Sequence, residues 1–197
     1  MIEDMNSVTW DWPLFEVLNF DGPEWLDSFM TAASGIKMWV PLYILIIYMV
    51  WRRYSWRGLL LFVVAAAVAM GLADVIAGVF KHSGPLKDVW ASFPARPRPM
   101  WSDGIENIHV PSYEHGEFGT VSAHAATIVS LALLSSMVVQ RRWLTVVMIV
   151  VSLLYCYSRI YLACHFPQDI LLGAGVGTFT GLLSVAMFRY IMKRKRG

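Results

Sequence analysis

Residues 158–169 bring together side chains able to act on an anion: Ser158, Arg159, His165 and Asp169. Asp169 follows His165 by four positions, so on one helix the two share a face. A carboxylate beside an imidazole fixes its tautomer and makes it a stronger base or nucleophile. Arg159 offers a planar fork that matches phosphate or carboxylate. Pro167 suits the first turn of a helix, where its missing N–H costs nothing, and a helix N-terminus is itself an anion site. The competing reading is a snorkelling Arg, an interfacial His and an Asp at a helix start.

The elements that must position these residues are membrane spans. In 197 residues, 57% are hydrophobic and 14% aromatic. The mean hydropathy is +0.53. Several apolar runs near or above the length of a bilayer crossing predict an all-α, polytopic bundle rather than a soluble fold. Five spans are expected, at 38–51, 58–80, 119–139, 143–163 and 167–192. The first has an apolar core of only 14 residues and is expected to borrow from before Lys37. Residues 1–35 hold seven acids and no Lys or Arg. Two short stretches there, 13–20 and 23–33, read with Trp12 and Trp25 as helices lying at the interface. The expected division is therefore 1–35, an interfacial N-terminal segment, and 36–197, a transmembrane domain whose long polar outer loop is 81–118. No basic n-region opens the chain, so no cleaved signal peptide is expected. Cys156 and Cys164, eight apart on one expected helix, are too distant for a disulfide.

Charge sets the expected orientation. Arg52, Arg53 and Arg57, then Arg141 and Arg142, then the 193–196 cluster fall on one side of five alternating spans. By the positive-inside rule that side is cytoplasmic. The acidic N-terminus, the 81–118 loop and the 159–169 junction would then face outward. Asp74 is an acid within the second span, and its expected role is a buried ion pair or hydrogen bond tying two helices. Gly173, Gly177 and Gly181 form a close-packing face on the last span.

With the spans placed, three stretches reach one membrane edge. The second span ends at Lys81, and its loop carries Arg96-Pro97-Arg98-Pro99. The third opens with Val121-Ser122-Ala123-His124, and the last two meet at 159–169. Cations, a hydroxyl and two histidines together suit a tetrahedral dianion.

These residues resemble the type 2 phosphatidic acid phosphatases, of the superfamily shared with vanadium haloperoxidases. The family's third motif, S-R-x5-H-x3-D, is matched by Ser158, Arg159, His165 and Asp169. Its second, P-S-G-H, is matched at Ser122 and His124, with Val121 and Ala123 in place of Pro and Gly. Its first, K-x6-R-P, is matched loosely: Val89 and Ala91 stand seven before Arg96 and Arg98. Lys81 is taken as the lysine, across an insertion in 82–95, with Lys87 the alternative. The resemblance implies a metal-independent lipid phosphatase working through a phosphohistidine. His165 would be the nucleophile, Asp169 its orienting acid, and His124 the general acid and base. Lys81, Arg98, Ser122 and Arg159 would hold the phosphate oxygens.

No cofactor and no metal is expected; His82, His109 and His115 lack metal-ligand spacing. The expected partners are the bilayer and a lipid phosphate, with no nucleic acid and no protein partner. Undecaprenyl pyrophosphate is the first candidate substrate, ahead of phosphatidylglycerol phosphate, phosphatidic acid and lipid A. The expected setting is a bacterial cytoplasmic membrane with the C-terminus inside. Rival classes are an anionic-lipid transporter and a non-catalytic membrane scaffold.

Overall fold

A computed structural model describes residues 10–102, 108–112 and 116–194. Two short helices, α1 (Trp12–Leu18) and α2 (Glu24–Ser34), precede a long element, α3 (Val40–Phe80). Three further helices follow: α4 (Ala123–Val139), α5 (Arg142–Tyr161) and α6 (Pro167–Arg194). Among the described residues the only extended pairing is an isolated bridge between Pro97 and Phe118.

The long element is a hairpin. Ser55 has φ 59 and ψ −175, a left-handed backbone that breaks the helix. Tyr43 and Met70 line one cavity, although a straight helix would hold them about 40 Å apart. The chain therefore reverses at Ser55, giving antiparallel arms 40–54 and 56–80. Arg53 secures the reversal by donating to the Val139 carbonyl at 2.8 Å, at the junction of α4 and α5. The sequence expected the first span to lengthen backward. Instead Gly35 is extended and a 3-10 turn, Lys37–Trp39, separates α2 from the span. The helical stretch opens at Lys37 with that turn and runs forward to the break at Ser55.

With the two arms, α4, α5 and α6, the bundle has five apolar segments. Three helical stretches, Lys37–Phe80, Arg142–Tyr161 and Pro167–Arg194, are long and apolar enough to cross a membrane. At 17 residues, α4 sits at the lower limit of a crossing. It lies at the centre, packed on α3, α5 and α6. Many outward side chains are apolar and exposed, among them Leu153, Leu171 and Phe179. This is a multi-pass membrane protein.

Close packing rather than water exclusion joins helices in lipid, and small residues permit it. The expected glycine face does this on α6. A β-carbon on Gly173 would lie 2.4 Å from the Ser122 carbonyl oxygen, and one on Gly177 2.3 Å from that of Ala126. These glycines let the α6 backbone touch α4, which registers the His165 end of α6 against the start of α4. Two expected starts and ends shift by a few residues. The third span begins helically only at Ala123, because Ser122 caps it; the fourth ends at Tyr161, which leaves Cys164 beyond the helix.

Candidate active site

A tight reversal between α5 and α6 builds the centre. Ala163 takes φ 53, and the amides of Cys164 and His165 both donate to the Arg159 carbonyl, at 2.9 and 3.2 Å. Six residues of chain thus fold back so that Arg159 and His165 share one turn. Asp169 sits at the third position of α6. Its Oδ2 accepts from the Phe166 amide at 3.0 Å, which caps the helix in the manner of a capping box. The same oxygen lies 3.4 Å from His165 Nδ1. One carboxylate therefore both starts the helix and orients the imidazole. His165 and Asp169 are each 1% exposed.

The other face of the ring meets the loop. Arg98 Nη1 stands 3.5 Å from His165 Nε2 and donates to the Cys164 carbonyl at 3.2 Å. The loop reaches this point because the Arg98 amide donates to Glu117 O and the Gly119 amide to Arg96 O, each at 2.8 Å. Gly119 must be small, as its β-carbon would approach Asp169 Oδ2 to 2.9 Å.

Ser122 caps α4, its Oγ accepting from the Ala125 amide at 3.3 Å, and its own amide donates to Asp169 O at 3.0 Å. As an acceptor in the cap, the hydroxyl keeps its O–H as a donor. His124, half-buried, stacks on Tyr155 with ring centroids 5.8 Å apart. Arg159 is 3% exposed and donates through Nη1 to Ser34 Oγ of α2. Lys81 closes the C-terminal end of α3, and Lys87 is exposed in the following turns. Three of the residues singled out in the sequence, His165, Asp169 and Arg98, are thus in one contact chain. Ser122 is joined to Asp169 through the backbone, and Arg159 through its carbonyl to the His165 amide.

Several residues at the site were not legible beforehand. Arg96 lies 3.9 Å from Asp169 Oδ1 and forms a two-pronged pair with Asp11, at 3.1 and 3.0 Å. Its guanidinium is 3.4 Å from the centre of the Phe166 ring. Asp11, fully buried, also accepts from the Gln168 amide at 2.9 Å. Asp11, at the N-cap of α1, therefore straps Arg96 onto the start of α6. The Arg-Pro-Arg-Pro run was the only sequence signal for Arg96, and Asp11 had none. Asp74 corrects an expectation. It meets no ion-pair or hydrogen-bond partner among the described residues and instead lines a cavity with His124. It sits on the exposed side of its helix, so no neighbouring helix presents a donor to it.

His109, read from the sequence only as lacking metal-ligand spacing, holds α2 and the turn before it. Its Nε2 is 2.8 Å from Asp27 Oδ1 and its Nδ1 3.1 Å from Asp21. Tyr161 donates to the same Asp27 oxygen at 2.6 Å. Among the described residues no cluster of His, Cys, Asp and Glu is arranged to hold a metal ion.

The family model of the PAP2 superfamily matches residues 62–193, most of the bundle and the whole His165–Asp169 turn. The chain belongs to the PAP2 superfamily. It is 32% identical over 186 residues to a lipid A 4'-phosphatase of Bacteroides thetaiotaomicron, covering 93% of this chain and 78% of that one. A lipid A 4'-phosphatase of Porphyromonas gingivalis is 27% identical, covering 93% and 75%. An undecaprenyl-diphosphatase of Sulfolobus acidocaldarius is 24% identical, covering 87% and 75%. In fold, the chain is similar to LpxE of Aquifex aeolicus, with TM-score 0.68 at 21% identity, covering 92% and 98%. As a PAP2 protein this chain is a membrane lipid phosphatase, and its helical bundle is the family's.

Proposed function

We propose that this PAP2 chain removes phosphate from an acylated amino-sugar lipid of the lipid A type through a phosphohistidine on His165. The observation that carries the mechanism is the imidazole held between two charges, Asp169 at Nδ1 and Arg98 at Nε2. With its Nδ1 proton directed to Asp169, the ring presents the Nε2 lone pair toward Arg98, where a phosphoryl group would rest. In the first step the Nε2–P bond forms and the ester P–O bond breaks. His124 gives its proton to the leaving oxygen. In the second, His124 takes a proton from water, the water oxygen bonds to phosphorus and the N–P bond breaks. Arg98, Arg159, Lys81 and the Ser122 hydroxyl would hold the phosphoryl oxygens, so positioned cations do the electrostatic work.

The preference for a lipid A-type substrate rests on the two relatives of that name, at 32% and 27% identity. This moves undecaprenyl pyrophosphate, the first expectation from sequence, to second place, where the 24% relative supports it. The basic residues at the Ser55 and Gln140 turns support reading that end as cytoplasmic, and with it a site that faces the periplasmic side of a bacterial cytoplasmic membrane.

The test is phosphate release by the detergent-purified protein with no added metal. Lipid A, undecaprenyl pyrophosphate, phosphatidylglycerol phosphate and phosphatidic acid are offered in parallel. The proposal expects the highest kcat/KM on lipid A and inhibition by orthovanadate. Chelator-sensitive turnover overturns the metal-free mechanism, and silence on every lipid moves the transporter reading ahead.

A further inference from the structure

We propose that Asp74 determines substrate specificity by accepting hydrogen bonds from a sugar head group on the leaving side of the phosphate; this rests on the phosphatase reading above. Asp74 lies on the 56–80 arm, within an otherwise apolar stretch. An acid at such a position is costly unless a partner or polar cavity receives it. No partner does so among the described residues, and its side chain lines a cavity of about 350 Å³ together with Ser34, Tyr43, His124, Thr127 and Tyr155.

The identity of the neighbours fixes which part of a substrate enters. His124 is the residue assigned to protonate the leaving oxygen, so the group attached to that oxygen occupies the space His124 lines. Ser34, on the same wall, accepts from Arg159, which places the cavity against the phosphate clamp. The cavity continues into an apolar one of about 230 Å³, with which it shares Ile36, Tyr43, Met70 and Leu131. A chamber beside the general acid, mainly apolar but with Asp74, Ser34 and Thr127 set in its wall, opens onto an apolar chamber between the two arms of α3, which matches a head group followed by its chains.

Charge chooses among head groups. A leaving group rich in hydroxyl and amide N–H donors, such as an acylated amino sugar, satisfies Asp74. The leaving group of a prenyl diphosphate is itself a phosphate, which brings acceptors and negative charge toward a carboxyl group. The diacylglycerol leaving group of phosphatidic acid brings no donor until its bond to phosphorus has broken. A site that hydrogen-bonds its substrate rejects analogues lacking the matching group far more strongly than an apolar pocket does.

The experiment compares wild type, Asp74→Asn and Asp74→Leu on lipid A and on phosphatidic acid. In parallel, binding of both lipids is measured to His165→Ala protein with and without Asp74→Leu. The expected result is a fall of about tenfold or more in the ratio of kcat/KM for lipid A over phosphatidic acid, carried mainly by KM and larger for Leu than for Asn. The binding ratio should fall alike. A ratio that stays constant, with the two lipids losing activity together or not at all, overturns the assignment. Turnover by His165→Ala at the wild-type rate would refute the phosphohistidine, while a shifted binding ratio would still uphold Asp74 as the head-group residue.

Discussion

Gly119 runs so close to Asp169 that a β-carbon on it would stand 2.9 Å from Oδ2 and 3.4 Å from His165 Nδ1. The loop is thus the wall against which the acid–imidazole pair is set. Gly119→Ala should displace that pair and lower kcat by up to about 10²-fold, the cost of misplacing reacting groups by about 1 Å. Side-by-side kinetics and thermal unfolding check this. A fall in kcat with little change in Tm is expected.

Asp11 and Arg96 form a pair almost without solvent, with side-chain exposures of 0% and 13%. Removing one partner of such a pair leaves a buried charge, at a cost of about 3–5 kcal/mol. Asp11→Ala should therefore destabilise the fold by about 3 kcal/mol, which denaturation in detergent reads directly. It should also weaken the start of α6, where Asp11 accepts from Gln168.

Much of this site was visible in one short stretch, and the reason is local. His165 and Asp169 are one helical turn apart, and the amides of 164 and 165 fold back on Arg159, so the spacing of the motif is the geometry. The glycine face of α6 was legible for the same reason, since periodicity on one helix needs no knowledge of its neighbour. Asp11, Ser34 and Gly119 were not. Each acts on a residue from 50 to 125 positions away, and neither composition nor period carries that pairing. Asp74 was read as a tie between helices because a span acid ordinarily needs a protein partner. The hairpin of α3 instead opens a cavity beside it.

The Asp27 carboxyl is held below its ordinary value of 3.8, first by the hydrogen bond from Tyr161 and also by His109, against an opposing effect of burial. A depressed folded-state pKa contributes stability that is present above the unfolded value and lost as pH falls through the folded one. Docking of α2 through Asp27 should hold from neutral pH down to about 4 and loosen only below it. Tyr161→Phe, which removes the first cause, should move that loosening to higher pH. Hydrogen exchange in 24–34 across pH 3–7 is the measurement.

Gly177 faces the Ala126 carbonyl, with 2.3 Å available to a β-carbon. Gly177→Val should push α6 from α4 and destabilise by about 1–3 kcal/mol, the usual range for overpacking. Activity should fall too, because Ser122 and Asp169 are joined across the same interface at 3.0 Å. A variant with unchanged Tm would mean that the two helices are not held at this separation.

The central claim is that His165 carries the phosphoryl group. The most direct measurement is a single turnover with lipid A labelled with ³²P at the scissile phosphate, quenched and analysed for label on the protein. The account predicts transient label that maps to the peptide containing His165, and neither label nor phosphate release in His165→Ala. Phosphate release at full rate from His165→Ala, or from wild type with no protein-bound label at any time, would contradict it.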